Sequence, residues 1–265
     1  MAYDYAYVGA SSTSVLRSGD SIAQLVPQVQ AHNVTLALMQ LGENDVLSLR
    51  SAIANGSLAG GQLLQDQNLL ESNIETAVNA VLAAGGQVIL GGISDQANSP
   101  GAVADATQKA RLESALSTSE ARLAAFAASK GIPFVDFYGL EKSVFDSGHF
   151  VVGGVNISLT AGTDSHDFFY DSVHAGIVIN GEVANLWLQA MNEGYGTNIQ
   201  LLSDQEILNL AGIGNEYVPP STFSTASNLS QFVAVVPEPS TITLLAVGLS
   251  ALVACHVRRR STSPA

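Results

Sequence analysis

The feature that most constrains the fold is an alternation of short apolar runs with long helix-like segments. Three runs of strand length, at residues 34–41, 87–93 and 132–138, are apolar and rich in strand-forming side chains. Runs of this kind are typical of strands that are buried on both faces of a parallel sheet. Two Ala- and Leu-rich segments, residues 62–84 and 102–130, lie between them, and in the first the apolar side chains recur at helical spacing.

Strands that alternate with helices of this length form βαβ crossovers, which cover both faces of a parallel sheet with helices. We therefore predict an α/β fold over residues 1–215, a three-layer α/β/α sandwich with a central parallel sheet. Residues 175–192 predict one more long helix, and residues 204–211 predict a short one.

The charge of the chain excludes one class of partner. The sequence has 23 acidic and 10 basic residues, which gives a formal net charge of −13. Binding to nucleic acid requires clustered Lys and Arg side chains that contact phosphates, so we predict no nucleic-acid partner. Cys255 is the single cysteine of the sequence, which excludes an intrachain disulfide.

The C-terminal tail is typical of a membrane-spanning segment. Residues 239–257 contain no charged side chain, and Arg258, Arg259 and Arg260 follow directly. At about 1.5 Å per residue, the segment 239–257 just reaches across the hydrocarbon core of a bilayer, so we predict a transmembrane helix at residues 241–257 with the arginines on the cytoplasmic side. A buried core helix is the alternative, but such a helix seldom ends in three consecutive arginines.

Pro237-Glu238-Pro239 precedes this apolar segment, so that three elements follow one another over residues 237–260. This order resembles the PEP-CTERM sorting signal of exopolysaccharide-producing bacteria. The resemblance implies export and sorting machinery as partners, transient anchoring in the inner membrane, and a periplasmic or cell-surface location after processing. Residues 216–236, which are rich in Ser, Thr and Pro, predict a flexible linker before the signal.

The first residues of the chain do not match this export signal. An exported protein begins with a basic region and an apolar run, and residues 1–8 show neither. We therefore expect that the chain is truncated at its N-terminus.

The first motif that carries chemistry is Leu41-Gly42-Glu43-Asn44-Asp45, which directly follows a predicted strand. Loops at the carboxyl ends of parallel strands line the ligand sites of α/β proteins. Asn44 in such a loop can stabilise an oxyanion with its side-chain amide. The alternative is that Asn44 or Asp45 caps the next helix, and this motif alone leaves the two interpretations even.

The second motif is Asp171-Ser172-Val173-His174, at the entrance of the last long helix. Its spacing can place the Asp171 carboxylate against the imidazole of His174, which fixes the tautomer and leaves the other ring nitrogen free as a general base. The alternative is a helix cap at Asp171 and a partly exposed His174. Asp164, His166 and Asp167 lie nearby, but a solvated polar loop explains them, and we predict no metal.

Taken together, the motifs resemble the GDSL/SGNH family of esterases and lipases. Gly42-Glu43-Asn44-Asp45 matches its Gly-x-Asn-Asp block, and Asp171-Ser172-Val173-His174 matches its Asp-x-x-His block. The residues that end at Gly9 resemble its second block, in which the glycine is a backbone donor to the oxyanion. The resemblance covers about residues 3 to 215 and implies a flavodoxin-like sheet.

The nucleophile of that family is the serine of a Gly-Asp-Ser block at the end of the first strand. Gly19-Asp20-Ser21 matches the tripeptide, but it follows Gly9 and opens an apparent helix, so that Asp20 or Ser21 as a helix cap explains it. We therefore expect that the first strand and its serine precede Met1, with Ser21 as the weaker alternative.

The resemblance implies an exported ester hydrolase that needs no cofactor. A serine attacks the ester, His174 and Asp171 form the base, and Gly9 and Asn44 form the oxyanion hole. Lipid esters, acylated polysaccharides and small carboxylic esters are all candidate substrates. The rival from another class is a non-catalytic exported surface protein, associated with exopolysaccharide, that keeps a degenerate hydrolase fold.

Overall fold

The computed structural model describes residues 3–102, 105–219 and 225–235. Helices and strands alternate over most of these ranges. The α-helices are α1 (Ser21–Gln30), α2 (Glu43–Asn55), α3 (Gly60–Ala83), α4 (Ala106–Lys130), α5 (Phe137–Ser147), α6 (Ile177–Tyr195) and α7 (Asp204–Leu210). The strands are β1 (Leu36–Gln40), β2 (Gln87–Gly91), β3 (Phe134–Val135), β4 (Phe150–Val152), β5 (Val155–Ala161), β6 (Asp167–Phe169) and β7 (Val233–Ala234).

The central sheet has the order β1-β2-β3-β7. Strands β1, β2 and β3 are parallel, and β7 pairs with β3 in the antiparallel sense. A second sheet, β4-β5-β6, packs beside it. The prediction of an α/β fold with a mostly parallel central sheet is confirmed.

Alternate residues of β2 separate the two halves of the core. Val88 and Leu90 are fully buried among side chains of α1 to α4, whereas Ile89 is fully buried among side chains of α5, α6 and α7. Successive side chains of a strand point to opposite faces, so the sheet lies between two helical layers. This is the layered arrangement that the alternation of strands and helices predicts.

The third strand is shorter than the sequence predicts. The expected run of residues 132–138 is reduced to Phe134–Val135, because Asp136 caps a helix that the sequence did not reveal. Its carboxylate accepts a hydrogen bond of 2.6 Å from the backbone N–H of Gly139. Phe137 and Tyr138, which look like strand residues, are the first two residues of α5.

Part of the range predicted as a linker belongs to the folded domain. Within residues 216–236, the side chains of Leu229, Phe232 and Val233 are buried against the α5–α7 layer. The segment then adds β7 to the sheet, because β7 pairs with β3. The described domain therefore extends to Val235 rather than ending at residue 215.

The loop that follows β2, residues 92–102, is held by carboxyl groups from three helices. Three consecutive backbone amides each donate to a different glutamate, and we call Glu43, Glu120 and Glu141 the carboxyl clamp. The bonds run from Ile93 N to Glu120 Oε2 of α4 (2.9 Å), from Ser94 N to Glu43 Oε1 of α2 (2.6 Å) and from Asp95 N to Glu141 Oε2 of α5 (2.7 Å).

Two members of the carboxyl clamp are buried deeply enough to change their protonation. Glu120 is 6% exposed and Glu141 is 8% exposed. Burial raises the pKa of Glu120 to about 9 and the pKa of Glu141 to about 8, and the nearby charge of Glu43 adds to both shifts. Both side chains are therefore neutral at pH 7 and can accept a backbone hydrogen bond without carrying a buried charge.

These raised pKa values predict that the protein loses stability as the pH rises. Between the ordinary glutamate pKa of 4.5 and the folded pKa of about 9, Glu120 is protonated in the folded chain and ionised in the unfolded chain. Each such group lowers the free energy of unfolding by about 1.4 kcal/mol per pH unit in that window. Urea unfolding of the wild type and Glu120→Gln, measured from pH 5 to pH 8, should show a shallower slope for the variant.

The matched control for this experiment is Glu193→Gln, which changes the same functional group at an exposed position of α6. It should leave the pH slope of the wild type unchanged. Parallel slopes for the wild type and Glu120→Gln would contradict the protonated state of Glu120.

Candidate active site

The Asp171 carboxylate and the His174 imidazole are in direct contact in the loop between β6 and α6. His174 Nδ1 lies 2.7 Å from Asp171 Oδ2, and Asp171 Oδ1 accepts hydrogen bonds of 2.9 Å from the backbone N–H groups of His174 and Val173. These bonds, the backbone bond from His174 first, lower the pKa of Asp171 to about 2. A proton on Nδ1 faces the ionised carboxylate, which assigns the Nε2 atom as the acceptor.

His174 is open to solvent, since 76% of its side chain is exposed. No hydrogen bond within the described residues reaches its Nε2 atom. Gly176, and not Asp171, is the N-cap residue of α6, so the interpretation of Asp171 as the helix cap is wrong. The carboxylate instead organises the turn that carries the histidine.

Asp171 and His174, which we call the dyad, lie in a turn that is fixed to the core at both ends. Phe168 and Phe169 precede it and are almost fully buried. Gly176 N donates to Phe168 O at 2.7 Å, and Tyr170 N donates to His174 O at 2.8 Å. Exposed side chains on a loop with buried ends can keep a defined geometry, as a catalytic dyad requires.

Asn44 is the second residue of α2. Gly42, with a φ of +105°, is the N-cap residue of this helix. The interpretation that Asn44 or Asp45 is the cap is therefore wrong. Asn44 Nδ2 donates to Ala10 O at 2.8 Å, which ties the residue next to Gly9 to the start of α2. Gly9 has a φ of +76°, and a Cβ atom added there would meet no atom within 4 Å.

Asp45 strengthens the same contact. Its two carboxylate oxygens accept bonds of 2.8 Å from the backbone N–H and the side-chain Oγ of Ser12, which is fully buried. The structure therefore brings the two predicted oxyanion donors, Gly9 and Asn44, to one place. It does so through Ala10 and Ser12, which the sequence did not single out.

The 92–102 loop connects the start of α2, where Gly9 and Asn44 meet, with the dyad turn. Near one end, Ser94 and Gln96 bond to Glu43, the neighbour of Asn44. Near the other end, Gly101 N donates to Ser172 O at 3.0 Å, within the dyad turn. The segments that carry Asn44 and the Asp171–His174 pair therefore both contact the loop that follows β2.

Ser21 is the first residue of α1, and Asp20 occupies the N-cap position without a side-chain capping bond. Ser21 Oγ donates to Tyr5 O at 2.6 Å. In the part of the chain that the structure describes, no hydrogen bond joins Ser21 to His174. Helix α1 therefore begins within the Gly19-Asp20-Ser21 sequence, and the Ser21 hydroxyl binds the N-terminal segment at Tyr5.

His166 has both ring nitrogens occupied by carboxylates. Nδ1 lies 2.6 Å from Asp164 Oδ1, and Nε2 lies 2.9 Å from Glu216 Oε2. These bonds raise the pKa of His166, that from Glu216 most. His166 therefore joins the loop before β6 to the turn at Gly214–Glu216 and leaves no nitrogen free to act as a base.

Sequence reasoning missed two features beside the candidate site. One is the carboxyl clamp, whose glutamates look like ordinary helix-surface residues in the sequence. The other is Arg50, whose Nη1 donates to Ser99 Oγ at 3.1 Å in the 92–102 loop. The one sequence signal is that Arg50 follows Glu43 by seven residues, so both lie on one face of α2.

Comparison with known proteins identifies the C-terminal tail. The family described as the PEP-CTERM protein-sorting motif matches residues 235–260, so the tail is a sorting signal of an exported protein that interacts with sorting machinery. The predicted membrane helix at residues 241–257 lies outside the described residues, and within those residues no helix is long and apolar enough to cross a membrane. No curated protein matches this chain.

Proposed function

We propose that this chain is an exported ester hydrolase of the carboxylesterase or lipase type, with His174 as its general base and Asp171 as the group that orients it. The observation that carries the proposal is the 2.7 Å bond between Asp171 Oδ2 and His174 Nδ1. This bond fixes the tautomer and leaves the exposed Nε2 atom free to take a proton from an attacking hydroxyl.

In the proposed reaction, a serine hydroxyl gives its proton to His174 Nε2 as its oxygen bonds to the ester carbonyl carbon. The carbonyl electron pair moves onto the oxygen and returns when the bond to the leaving alcohol breaks. The imidazolium gives its proton to that alcohol. Water then repeats the sequence on the acyl-serine, which releases the acid and restores the serine.

Asn44 and Gly9 are the proposed donors to the oxyanion. An amide side chain has two N–H donors, and Asn44 uses one of them on Ala10 O. The second donor stays available for the developing negative charge. Loss of one oxyanion donor typically lowers the rate by about 10²–10³-fold.

The attacking serine has two proposed sources. A serine that precedes Met1 follows from the family resemblance, and Ser21 is the alternative within this sequence. Ser21 would first have to release its bond to Tyr5 O. The codons upstream of Met1 test the first source, because they should encode a strand that ends in Gly-Asp-Ser.

The sorting motif supports a location for the reaction. We propose that residues 241–257 hold the chain in the inner membrane until processing near Pro237-Glu238-Pro239 releases the domain to the periplasm or cell surface. Esters found there, in lipids, acylated polysaccharides or small molecules, are the proposed substrates.

One observation favours a second candidate, a non-catalytic exported surface protein that keeps the fold. Within the described residues, no serine hydroxyl is hydrogen-bonded to His174. A protein of this kind would keep the Asp171–His174 contact for structure alone, and a serine-directed reagent would not label it.

A fluorophosphonate probe separates the two candidates, since it labels only serines that are activated by a base. We expect the wild-type protein to be labelled at one serine, found by mass spectrometry, and His174→Gln to lose the label. His149→Gln is the control, because His149 is exposed and, within the described residues, its Nδ1 is hydrogen-bonded to the Ser147 carbonyl alone. If the probe labels neither the 265-residue chain nor the chain extended upstream, the result supports the non-catalytic candidate.

The orienting role of Asp171 predicts a kinetic effect. Asp171→Asn removes the charge that faces Nδ1–H, so kcat for a short-chain 4-nitrophenyl ester should fall by about 10²–10⁴-fold. Asp146→Asn, an exposed aspartate that pairs with Lys142, should keep wild-type kcat. A variant Asp171→Asn with wild-type kcat would contradict the orienting role of Asp171.

A further inference from the structure

Arg50 places a positive charge beside the Asp171–His174 turn. It lies on α2, and its Nη1 atom donates to Ser99 Oγ at 3.1 Å. A Cβ atom added at Gly101 would lie 3.0 Å from Arg50 Nη2 and 3.0 Å from Ser172 Cβ. The guanidinium and the dyad turn are therefore separated only by the backbone of a glycine.

The charge of Arg50 has no acidic partner within the described residues. The other basic side chains near acidic groups form ion pairs, as Lys109 does with Glu113, Arg122 with Glu71 and Lys142 with Asp146. A guanidinium has five donors, and the bond to Ser99 uses one of them. Four donors of a permanently charged group therefore remain available.

Arg50 is also partly removed from water. Desolvation lowers the pKa of Arg50 from its ordinary value, and no acidic residue contributes to that shift. A guanidinium still remains charged at every accessible pH. A half-buried cation that has no acidic partner among the described residues gains free energy from an anion that reaches it.

We infer that Arg50 forms an anion subsite that binds a carboxylate group of the substrate next to the dyad. This inference rests on the proposed ester hydrolase and narrows its substrates to esters that carry a carboxylate near the scissile carbonyl. The planar guanidinium fits a carboxylate in bidentate geometry. The exposed hydroxyl of Ser172 has no hydrogen-bond partner within the described residues, and it is carried by the residue whose Cβ lies across Gly101 from Arg50.

Binding of succinate tests the subsite without any need for catalysis. In a titration followed by NMR, succinate should shift the Arg50 Nε–H and His174 ring signals of the wild-type protein with saturation, and succinamide, its neutral counterpart, should not. Arg50→Gln should weaken succinate binding at least tenfold. Arg17→Gln, which removes an exposed charge that bonds to no residue of the 92–102 loop, should bind as the wild type does.

Two further measurements of succinate affinity test whether the binding depends on the charge of Arg50. The affinity for succinate should fall between 20 and 300 mM NaCl, and Arg50→Lys should retain more affinity than Arg50→Gln. If Arg50→Gln does not fold, the shift of the wild-type Arg50 Nε–H signal decides the question. An unshifted signal, or equal succinate affinity in the wild type and Arg50→Gln, would overturn the subsite.

Hydrolysis distinguishes a failure of the subsite from a failure of the proposed function. The wild type should have a higher kcat/KM for 4-nitrophenyl hemisuccinate than for neutral 4-nitrophenyl butyrate, and Arg50→Gln should lose that preference. If neither ester is hydrolysed by the 265-residue chain or by the chain extended upstream, although succinate binds through Arg50, the hydrolase proposal fails and the anion subsite stands. If both esters are hydrolysed with no preference, the hydrolase proposal stands and the subsite is overturned.

Discussion

The backbone amides of Ile93, Ser94 and Asp95 follow β2 into the protein, where water does not reach all of them. An amide left without an acceptor in such a place costs about 1–3 kcal/mol. The carboxyl clamp supplies an acceptor to each from a different helix, at 2.9, 2.6 and 2.7 Å. The path of the 92–102 loop follows from these three bonds, and this loop contacts both α2 and the dyad turn.

The charges around the candidate site follow from the same constraint. The three carboxylates of the clamp, which accept from consecutive backbone amides, would repel each other if all were ionised. Burial raises the pKa of Glu120 and of Glu141, so that both are neutral at pH 7. Asp171 is partly exposed and hydrogen-bonded, and it remains ionised. Among the described residues, the charged carboxylate of Asp171, the imidazole of His174 and the guanidinium of Arg50, which has no acidic partner there, therefore lie near the same loop.

The elements that sequence predicted well are those with strong local patterns. Strand β2 begins at Gln87, as predicted. A short apolar run between two long helices is typical of a strand that is buried on both faces, and β2 lies between β1 and β3. Strand β3 was overestimated, since the capping bond of Asp136 outweighs the strand preference of Phe137 and Tyr138. Strand β7 was missed, because a two-residue strand leaves no periodic pattern.

The sequence by itself indicated the sorting motif at residues 235–260 and a spacing that allows the Asp171–His174 contact, because each depends on residues close together in the chain. It also predicted the parallel βαβ order, because short apolar runs alternate with long helical segments. Tertiary structure alone decided the carboxyl clamp and the position of Arg50. The clamp joins residues 27, 51 and 46 positions apart, and Arg50 reaches Ser99 from 49 positions away. Such contacts arise only when the sheet brings its carboxyl ends together, and no local pattern encodes that meeting.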